Sequence, residues 1–425
     1  MRAGFYECDV TPPLGGFLWG HYQEKFAEDV FERLHVKSVV VESDGNVAAF
    51  LIMDTCAMPE GAHDVITKRI YDFTGITADK VSISSNHTHW GAPVHNSPEI
   101  GCYRDEPYTD VFFRLCADAV ILAYKRLDEV EIEYVLADSG DGVAFCRNFL
   151  LKDGTYKTHG RGRDDIVKAL GEPDTELPIL MFKKNGKPIG AITNYSMHQC
   201  TGYTTPYGYH GDYSSVMSRK LKEVYGPDFV NVFLLGTCGD VTHVDPNPDN
   251  PLDNFRGIGE KLAKVFTSYI DKAEPMTVNA VKSVKEYIKM PRRTMDPEAA
   301  KKRISELSGL GDFMRARNLM YYMSKKQPEF TNLPVQCIVI GDILFVSLPG
   351  EVYNLYGRKI KELSPFKRTV VVENANEYCG YIPNKDLFGE NDDLYETSLC
   401  YHSCHIPEAG EILTDKALEI ANKLK

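Results

Sequence analysis

The stretch VSISSNHTH, residues 81–89, joins a short apolar run to two histidines that are two residues apart. The run predicts a buried β-strand that ends at Ser85. A strand end is rigid, so His87 and His89 can present both rings from one face, which is a common way of binding catalytic zinc. Two histidines near a strand end are more often ordinary polar residues, so a metal site requires further ligands from elsewhere in the chain.

The composition is that of a folded protein without a nucleic-acid partner. The chain has 425 residues, of which 43% are hydrophobic and 25% are charged, and its formal net charge is -12. Excess negative charge repels phosphates, which excludes nucleic acids as partners. No window approaches the roughly 18 apolar residues of a membrane-spanning helix, so the sequence predicts no transmembrane segment and leaves only peripheral membrane contact open.

The cysteines and the first residues indicate a cytoplasmic protein. The N-terminal segment lacks the apolar run of a secretion signal. The 11 cysteines are an odd number without a repeating interval, which favours thiols in a reducing compartment over a disulfide framework. Cys400, His402, Cys404 and His405 lie close together, but their spacing fits no structural zinc pattern.

Turn dipeptides and apolar periodicity predict the secondary structure. Hairpins are predicted for the runs 36–41 and 47–53 around Asp44-Gly45, 177–182 and 189–196 around Asn185-Gly186, and 335–340 and 343–348 around Gly341-Asp342. Buried strands are predicted at 229–235 and 369–372. Helices are predicted at 62–73, 108–127, 213–225, 252–271, 298–325, 352–363 and 411–424.

This mixture of elements indicates an α/β protein in the mixed α+β sense, with central packed mixed β-sheets flanked by helices. The first sheet is predicted to start with the hairpin at residues 36–53. No linker or repeat divides the sequence, so we expect one catalytic domain over residues 1–425. The polar, helical segment 291–333 is predicted to be an insertion or cap.

Chemically capable residues follow five apolar runs, and this coincidence predicts a site. They are His87 with His89, His198, Asp240 with Thr242 and His243, Glu351, and Tyr378 with Tyr381. Ligands and catalysts gather at strand ends in sheet-based enzymes, so we expect these segments to converge on one cleft. Imidazoles with one carboxylate are preferred zinc ligands, and a phenol can add a weaker one. Zinc lowers the pKa of bound water to about 7 and polarises a carbonyl oxygen, as amide or ester hydrolysis requires.

Each segment also has an interpretation without a metal. Glu351 could stabilise the start of a helix through the helix dipole. Asp240 could brace a turn, and Tyr378 and Tyr381 could be half-buried aromatics. The joint occurrence of the segments favours the metal site over these separate explanations.

Short motifs resemble those of the neutral/alkaline (non-lysosomal) ceramidases and their bacterial relatives. They are Asp9-Val10-Thr11-Pro12-Pro13, Asn86-His87-Thr88-His89-Trp90-Gly91-Ala92-Pro93, Asn194-Tyr195-Ser196-Met197-His198, Gly239-Asp240-Val241-Thr242, Leu348-Pro349-Gly350-Glu351 and Asn376-Glu377-Tyr378-Cys379-Gly380-Tyr381. They stand in the order found in that family, and the likeness extends from residue 5 to about residue 420. The resemblance implies the fold of the ceramidase catalytic domain and a zinc-dependent amide hydrolase with a small-molecule, N-acyl substrate.

The resemblance also implies roles for individual residues. The metal ligands would be His87, His198, Glu351 and Tyr381. His89 would hold the substrate oxygen or the reactive water, Arg147 would position substrate, Tyr395 would stabilise developing charge, and Thr242 would take the place of a catalytic serine.

Three departures from the family pattern suggest a different substrate. Thr242 keeps the hydroxyl of the family serine but adds a stiff β-branch. Trp90 replaces a small residue beside the histidines, and His243-Val244-Asp245 replaces Pro-Asn. The sequence also ends without the immunoglobulin-like domain of the secreted enzymes. We therefore expect a soluble or non-ceramide substrate. The alternatives are hydrolysis of an ester or sugar-linked group, or a binding protein whose catalysis has lapsed, and the oligomeric state is not indicated.

Overall fold

A computed structural model describes residues 1–21, 23–202, 207–307, 310–389 and 394–425, with the side chains of residues 310–312 outside the description. The strands within these ranges are Arg2–Asp9 (β1), Asp29–Val30 (β2), His35–Ser43 (β3), Asn46–Met53 (β4), Val81–Ser85 (β5), Asp128–Glu129 (β6), Glu131–Asp138 (β7), Phe145–Cys146 (β8), Asn148–Leu151 (β9), Tyr156–Thr158 (β10), Ile166–Ala169 (β11), Glu176–Lys184 (β12), Lys187–Tyr195 (β13), Gly208–Tyr209 (β14), Val230–Leu235 (β15), Val241–Thr242 (β16), Glu274–Pro275 (β17), Val281–Pro291 (β18), Phe330–Ile340 (β19), Ile343–Ser347 (β20), Glu351–Val352 (β21), Arg368–Val372 (β22) and Tyr381–Ile382 (β23). The α-helices are Ala62–Thr74 (α1), Glu106–Lys125 (α2), Asp212–Tyr225 (α3), Phe255–Tyr269 (α4), Pro297–Glu306 (α5), Leu310–Ser324 (α6), Asn354–Leu363 (α7) and Ala409–Leu424 (α8). Short 3₁₀ helices cover Ala78–Lys80, Pro98–Ile100, Ile270–Lys272 and Lys385–Leu387.

Three mixed sheets form the framework, which confirms the predicted fold class. Their strand orders are β5-β4-β3-β1-β6, β15-β13-β12-β7-β17 and β18-β19-β20-β22. Each sheet contains one parallel pair, namely β4 with β5, β13 with β15, and β20 with β22. The remaining pairs in these sheets are antiparallel.

The inner faces of the three sheets meet in one apolar core. Phe5 and Phe182 join the first and second sheets with ring centroids 5.1 Å apart, and Phe50 and Phe345 join the first and third at 4.9 Å. Because side chains alternate along a strand, each sheet has a second face. This face is also apolar, and helices cover it. The helix pairs are α1 with α2, α3 with α4, and α7 with α8.

The three predicted hairpins are confirmed. β3 pairs with β4, β12 with β13, and β19 with β20, all antiparallel. The turns use the dipeptides seen in the sequence: Asp44 and Asn185 both have φ 50°, and each is followed by a glycine with positive φ. Two successive residues with positive φ match the right-handed twist of the flanking strands, which explains the strength of this sequence signal.

The prediction that the first sheet starts at residue 36 is wrong, because β1 precedes it and pairs with β3 along its whole length. The apolar pattern of β1 is broken by Gly4, which has no side chain to contribute to it. A Cβ at Gly4 would lie 2.1 Å from the Ala123 carbonyl oxygen, so glycine allows helix α2 to pack closely on this strand.

The region 291–333 contains helices, but not one continuous helix over 298–325. Helix α5 ends at Glu306, and the next residue, Leu307, has an extended ψ of 111°. Helix α6 begins at Leu310, while residues 308–309 lie outside the described ranges. In the sequence, these helices lie between β18 and β19, two strands that pair with each other. Leu319 and Tyr322 of α6 pack against Leu399 and Cys404. That this region is a cap, and that one catalytic domain spans residues 1–425, remain predictions.

None of the described helices combines the length and the apolar composition that crossing a bilayer requires.

Lys285 of β18 fixes the start of strand β5. Its ammonium nitrogen donates to the carbonyls of Ala78 and Val81 at 2.9 and 3.2 Å, and it lies 2.8 Å from Nε2 of His63. β5 precedes the His-x-His segment, so this contact ties the third sheet to the strand that leads into that segment.

We expect Lys285→Met to lower the free energy of unfolding by about 1–3 kcal/mol, because the two carbonyls lose a half-buried donor. Chemical denaturation measures this change. The matched control is Lys289→Met, an exposed lysine of the same strand, which should change stability by less than about 0.5 kcal/mol. Equal losses in both variants would contradict the assignment.

Candidate functional site

His87, His198 and Glu351 come together although they belong to segments that follow three different sheets. Nε2 of His87 lies 2.9 Å from Nε2 of His198. Oε2 of Glu351 lies 3.3 Å from the first nitrogen and 3.4 Å from the second. All three side chains are buried. Tetrahedral zinc with arms of about 2.0–2.1 Å places its donors about 3.3–3.4 Å apart, which matches both distances from Glu351, whereas the two imidazole nitrogens lie closer together than this.

The second nitrogen of each imidazole determines what the first one can do. Nδ1 of His87 lies 2.5 Å from the carbonyl oxygen of Cys56, and Nδ1 of His198 lies 3.1 Å from that of Cys238. A carbonyl only accepts hydrogen bonds, so each Nδ1 carries the proton in a neutral ring and each Nε2 presents a lone pair. Two lone pairs facing each other repel unless a cation lies between them. The residues therefore fit a metal.

The backbone of His87 is unusual. Its φ of 68° lies in the left-handed region, which a non-glycine residue rarely adopts. Such conformations persist where the surrounding structure enforces them, often at functional sites. Here the backbone N–H of His87 donates to the Thr55 carbonyl at 3.1 Å, while the side chain donates to Cys56.

Glu351 presents an ionised and unshared oxygen to the two imidazoles. Oε1 accepts a hydrogen bond from the Tyr378 hydroxyl at 2.8 Å, whereas the buried Oε2 has no hydrogen-bond partner in the described structure. Burial alone would raise the pKa of this carboxyl, but when His87 is protonated its charge, together with the hydroxyl of Tyr381, outweighs burial and lowers the pKa to about 2. Glu351 lies in strand β21, before helix α7, so it does not open a helix.

Parallel pairing of β21 with β23 brings Tyr381 to the same group. It stands opposite Glu351 in the register of β21 and β23, and it is buried. The guanidinium carbon of Arg147 lies 5.4 Å from the centre of the Tyr381 ring. The structure thus places all four predicted metal ligands together.

Arg147 lies beside this group and is held by a buried ion pair. Its Nε donates to Glu396 at 2.7 Å, and a terminal nitrogen donates to the Gly239 carbonyl at 2.7 Å. The other terminal nitrogen lies 3.5 Å from Nε2 of His198. Burial and the Arg147 charge hold the pKa of His198 well below its usual range, so that ring is neutral.

His89 also faces the group. Its ring centroid lies 5.1 Å from that of His87 and 5.9 Å from that of His198. Both ring nitrogens are buried without a hydrogen-bond partner among the described residues. Burial and the neighbouring His87 hold its pKa well below the usual range, so the ring is neutral. A neutral ring with two unused nitrogens can contact a bound molecule.

Tyr395 stands next to Tyr381, with ring centroids 5.4 Å apart. Its hydroxyl lies 2.7 Å from Nε2 of His402. This contact links the Cys400–His405 segment to the site through an imidazole. Within the described residues, the two groups with three possible metal-binding atoms close together are Cys56 with His87 and His89, and His87 with His198 and Glu351. The Cys400–His405 segment is in neither group.

The backbone beside Thr242 contacts His198, whereas the Thr242 side chain makes a hydrogen bond elsewhere. The backbone N–H of His198 donates to the Val241 carbonyl at 3.2 Å. The Thr242 hydroxyl accepts from the backbone N–H of Val244 at 3.3 Å. In the described part of the chain no hydrogen bond connects this hydroxyl with His87, His198 or Glu351, so its catalytic role remains a prediction. Asp240 braces a helix, since its Oδ1 accepts from the Asn354 N–H at 2.7 Å.

Two partners in the site were not assigned from the sequence. The sequence groups Tyr378 with Tyr381 at the expected cleft without giving it a role, and it binds Glu351; Glu396 is given no role, and it binds Arg147. The only available signal was their adjacency to Tyr381 and Tyr395 in the motifs, because each partner lies far away in the sequence.

Comparisons with known proteins agree with this architecture. No protein-family model matches the sequence, and no curated protein matches it. The chain aligns over 99% of its length with 74% of a chain of neutral ceramidase from Pseudomonas aeruginosa, at 17% identity and a TM-score of 0.72. It aligns over 100% of its length with 75% of a chain of ceramidase complexed with C2, at 17% identity and a TM-score of 0.75. The chain therefore has the fold of the neutral ceramidases, as its motifs predicted.

Proposed function

We propose that this protein is a zinc-dependent hydrolase that cleaves an amide bond of an N-acyl compound. His87, His198, Glu351 and Tyr381 bind the metal. The observation that carries the proposal is the buried, ionised Oε2 of Glu351, which has no hydrogen-bond partner among the described residues and faces the Nε2 atoms of both histidines. A buried carboxylate oxygen without a partner is costly, and a cation at this point removes that cost.

The donor set favours zinc over harder metals. Two neutral imidazoles and one carboxylate are typical of catalytic zinc, whereas magnesium and calcium prefer sets made of oxygen atoms alone. When bound, zinc supplies Lewis-acid chemistry, polarising a carbonyl oxygen and lowering the pKa of water to about 7.

The protein side chains bind and orient the substrate. The unused nitrogens of His89 hold the substrate oxygen or the reactive water, and Arg147 places positive charge beside the reacting carbonyl. Tyr395 stabilises the charge that develops on this oxygen, since a fixed donor in a dry site lowers the barrier without reorganisation. Thr242 or a neighbouring residue relays a proton from the reactive water to the leaving amine, so that it gains one proton as it gives one up.

The substrate is a soluble or non-ceramide N-acyl compound. The fold is shared with two ceramidases, which supports amide cleavage. The surroundings of His89 support a different substrate: the Trp90 ring lies 6.3 Å from the His89 ring and stacks on His210 at 4.7 Å. A buried indole takes up space beside the histidines. A cytoplasmic location remains a prediction from the number and spacing of the cysteines in the sequence.

We expect His87→Ala to abolish stoichiometric zinc binding and amide hydrolysis together, because it removes one donor and leaves Glu351 facing a single imidazole. Zinc content after dialysis and turnover of an N-acyl substrate measure the two effects. The control is His63→Gln, which keeps an acceptor for Lys285 outside the site and should change neither quantity. Full activity in His87→Ala would refute the ligand assignment.

A substrate panel tests the bond and the substrate class. The panel contains N-acyl amino acids, N-acyl amino sugars, esters with the same acyl groups, and ceramide. We expect a soluble amide to give the highest kcat/KM. Hydrolysis confined to the esters would support the ester alternative, and a preference for ceramide would contradict the proposed substrate class.

Thr242→Ser and Thr242→Val separate catalysis by the hydroxyl from a lapsed binding function. Serine keeps the hydroxyl and should retain turnover within about threefold, whereas isosteric valine should lower it by about 10²–10⁴, as expected for loss of proton transfer. Steady-state kinetics measure both changes. A wild-type protein without turnover that gains it on Thr242→Ser would instead indicate lapsed catalysis.

A further inference from the structure

Glu373 is a fully buried carboxylic acid directly behind the candidate metal centre, and the mechanism above does not use it. It follows strand β22 and has 0% exposure. Glutamate is almost never fully buried without compensating hydrogen bonds. The partners of this carboxyl therefore indicate what it does.

Those partners come from two separate segments of the chain. Oε2 accepts hydrogen bonds from the backbone N–H groups of Cys238 and Val352, both at 2.9 Å. Oε1 lies 3.1 Å from the thiol sulfur of Cys238. A single carboxyl oxygen thus connects the turn after β15 to strand β21.

One of these segments hydrogen-bonds to a candidate ligand, and the other contains one. The carbonyl of Cys238 accepts the Nδ1 proton of His198 at 3.1 Å, and Val352 is the residue after Glu351. Through these contacts Glu373 sets the position of His198 relative to Glu351, whose ligand atoms lie 3.4 Å apart.

The next residue, Asn374, lies beside the remaining imidazole. The backbone N–H of Asn374 donates to the Gly350 carbonyl at 2.9 Å, and its side-chain amide lies 3.3 Å from Nδ1 of His87. Asn374 has a φ of 49°, which turns its side chain toward the centre while Glu373 faces the two backbone N–H groups.

We propose that Glu373 is a positioning residue of the metal centre, whose carboxyl joins the supports of His198 and Glu351 and thereby sets the affinity for zinc. This inference rests on the proposed function. Glu373 acts through Oε2, which accepts the two backbone hydrogen bonds.

The test compares Glu373→Gln with Glu373→Leu. Glutamine keeps an oxygen that accepts both N–H groups, and it resembles the neutral acid, since burial holds the pKa of Glu373 well above its usual range. Leucine has a similar size but leaves both N–H groups without an acceptor. Zinc affinity is measured by titrating metal-free protein against a competing chelator, and the spectrum of the cobalt-substituted protein reports ligand geometry.

We expect Glu373→Gln to bind zinc within about threefold of the wild type. Glu373→Leu should bind zinc about 10–100-fold more weakly and give an altered cobalt spectrum, as is typical when the support of a metal ligand is lost. Leu413→Ala on α8 is the control for stability, because it opens a cavity in the core that α8 covers without removing a hydrogen bond of Glu373, and it should leave zinc affinity unchanged.

Two results would overturn the inference while leaving the proposed function intact. One is wild-type zinc affinity in Glu373→Leu, and the other is an equal loss of affinity in Leu413→Ala, which would attribute the effect to general destabilisation. A wild-type protein that binds no zinc would overturn the proposed function and this inference together.

Discussion

Each of two buried imidazoles donates its Nδ1 proton to a main-chain carbonyl, and this pair of hydrogen bonds fixes which nitrogen faces the centre of the molecule. His87 donates to Cys56 and His198 donates to Cys238. The Nε2 lone pairs consequently point at each other and at Glu351. Reversing either tautomer would place an N–H where a lone pair is needed, so the chemistry of the centre follows from two backbone acceptors.

The sheets explain why residues so far apart in sequence meet. Each of the three sheets contains one parallel pair, and the segments that follow these pairs lead into the site. The aromatic core between the sheets fixes their relative positions, since Phe50 and Phe345 pack across two of them. The site therefore depends on a hydrophobic core that contains none of its chemistry. The fold that this core stabilises is shared with a neutral ceramidase at 17% identity.

Local signals in the sequence predicted much of the fold, and motif order predicted the residues that gather at the site. Turn dipeptides such as Asn185-Gly186 act over a few residues and can be recognised directly. Strand β1 was missed because Gly4 interrupts its pattern. The contacts of Tyr378, Glu396 and Glu373 could not be predicted, because each is defined by a partner that tertiary folding brings near. The Thr242 hydroxyl is the converse case, since its motif predicts a role, but among the described residues no hydrogen bond joins this hydroxyl to His87, His198 or Glu351.

The wide spacing of the donors has a consequence for biosynthesis. Residues 87, 198, 351 and 381 leave the ribosome in that order, and the last emerges when most of the chain has been made. Domains generally fold as units during synthesis, but no early fragment of this chain contains the complete donor set. With the proposed ligands, the nascent protein could not capture an ion at full affinity before the third sheet has assembled. Loading with metal would then be a late event in the maturation of this protein.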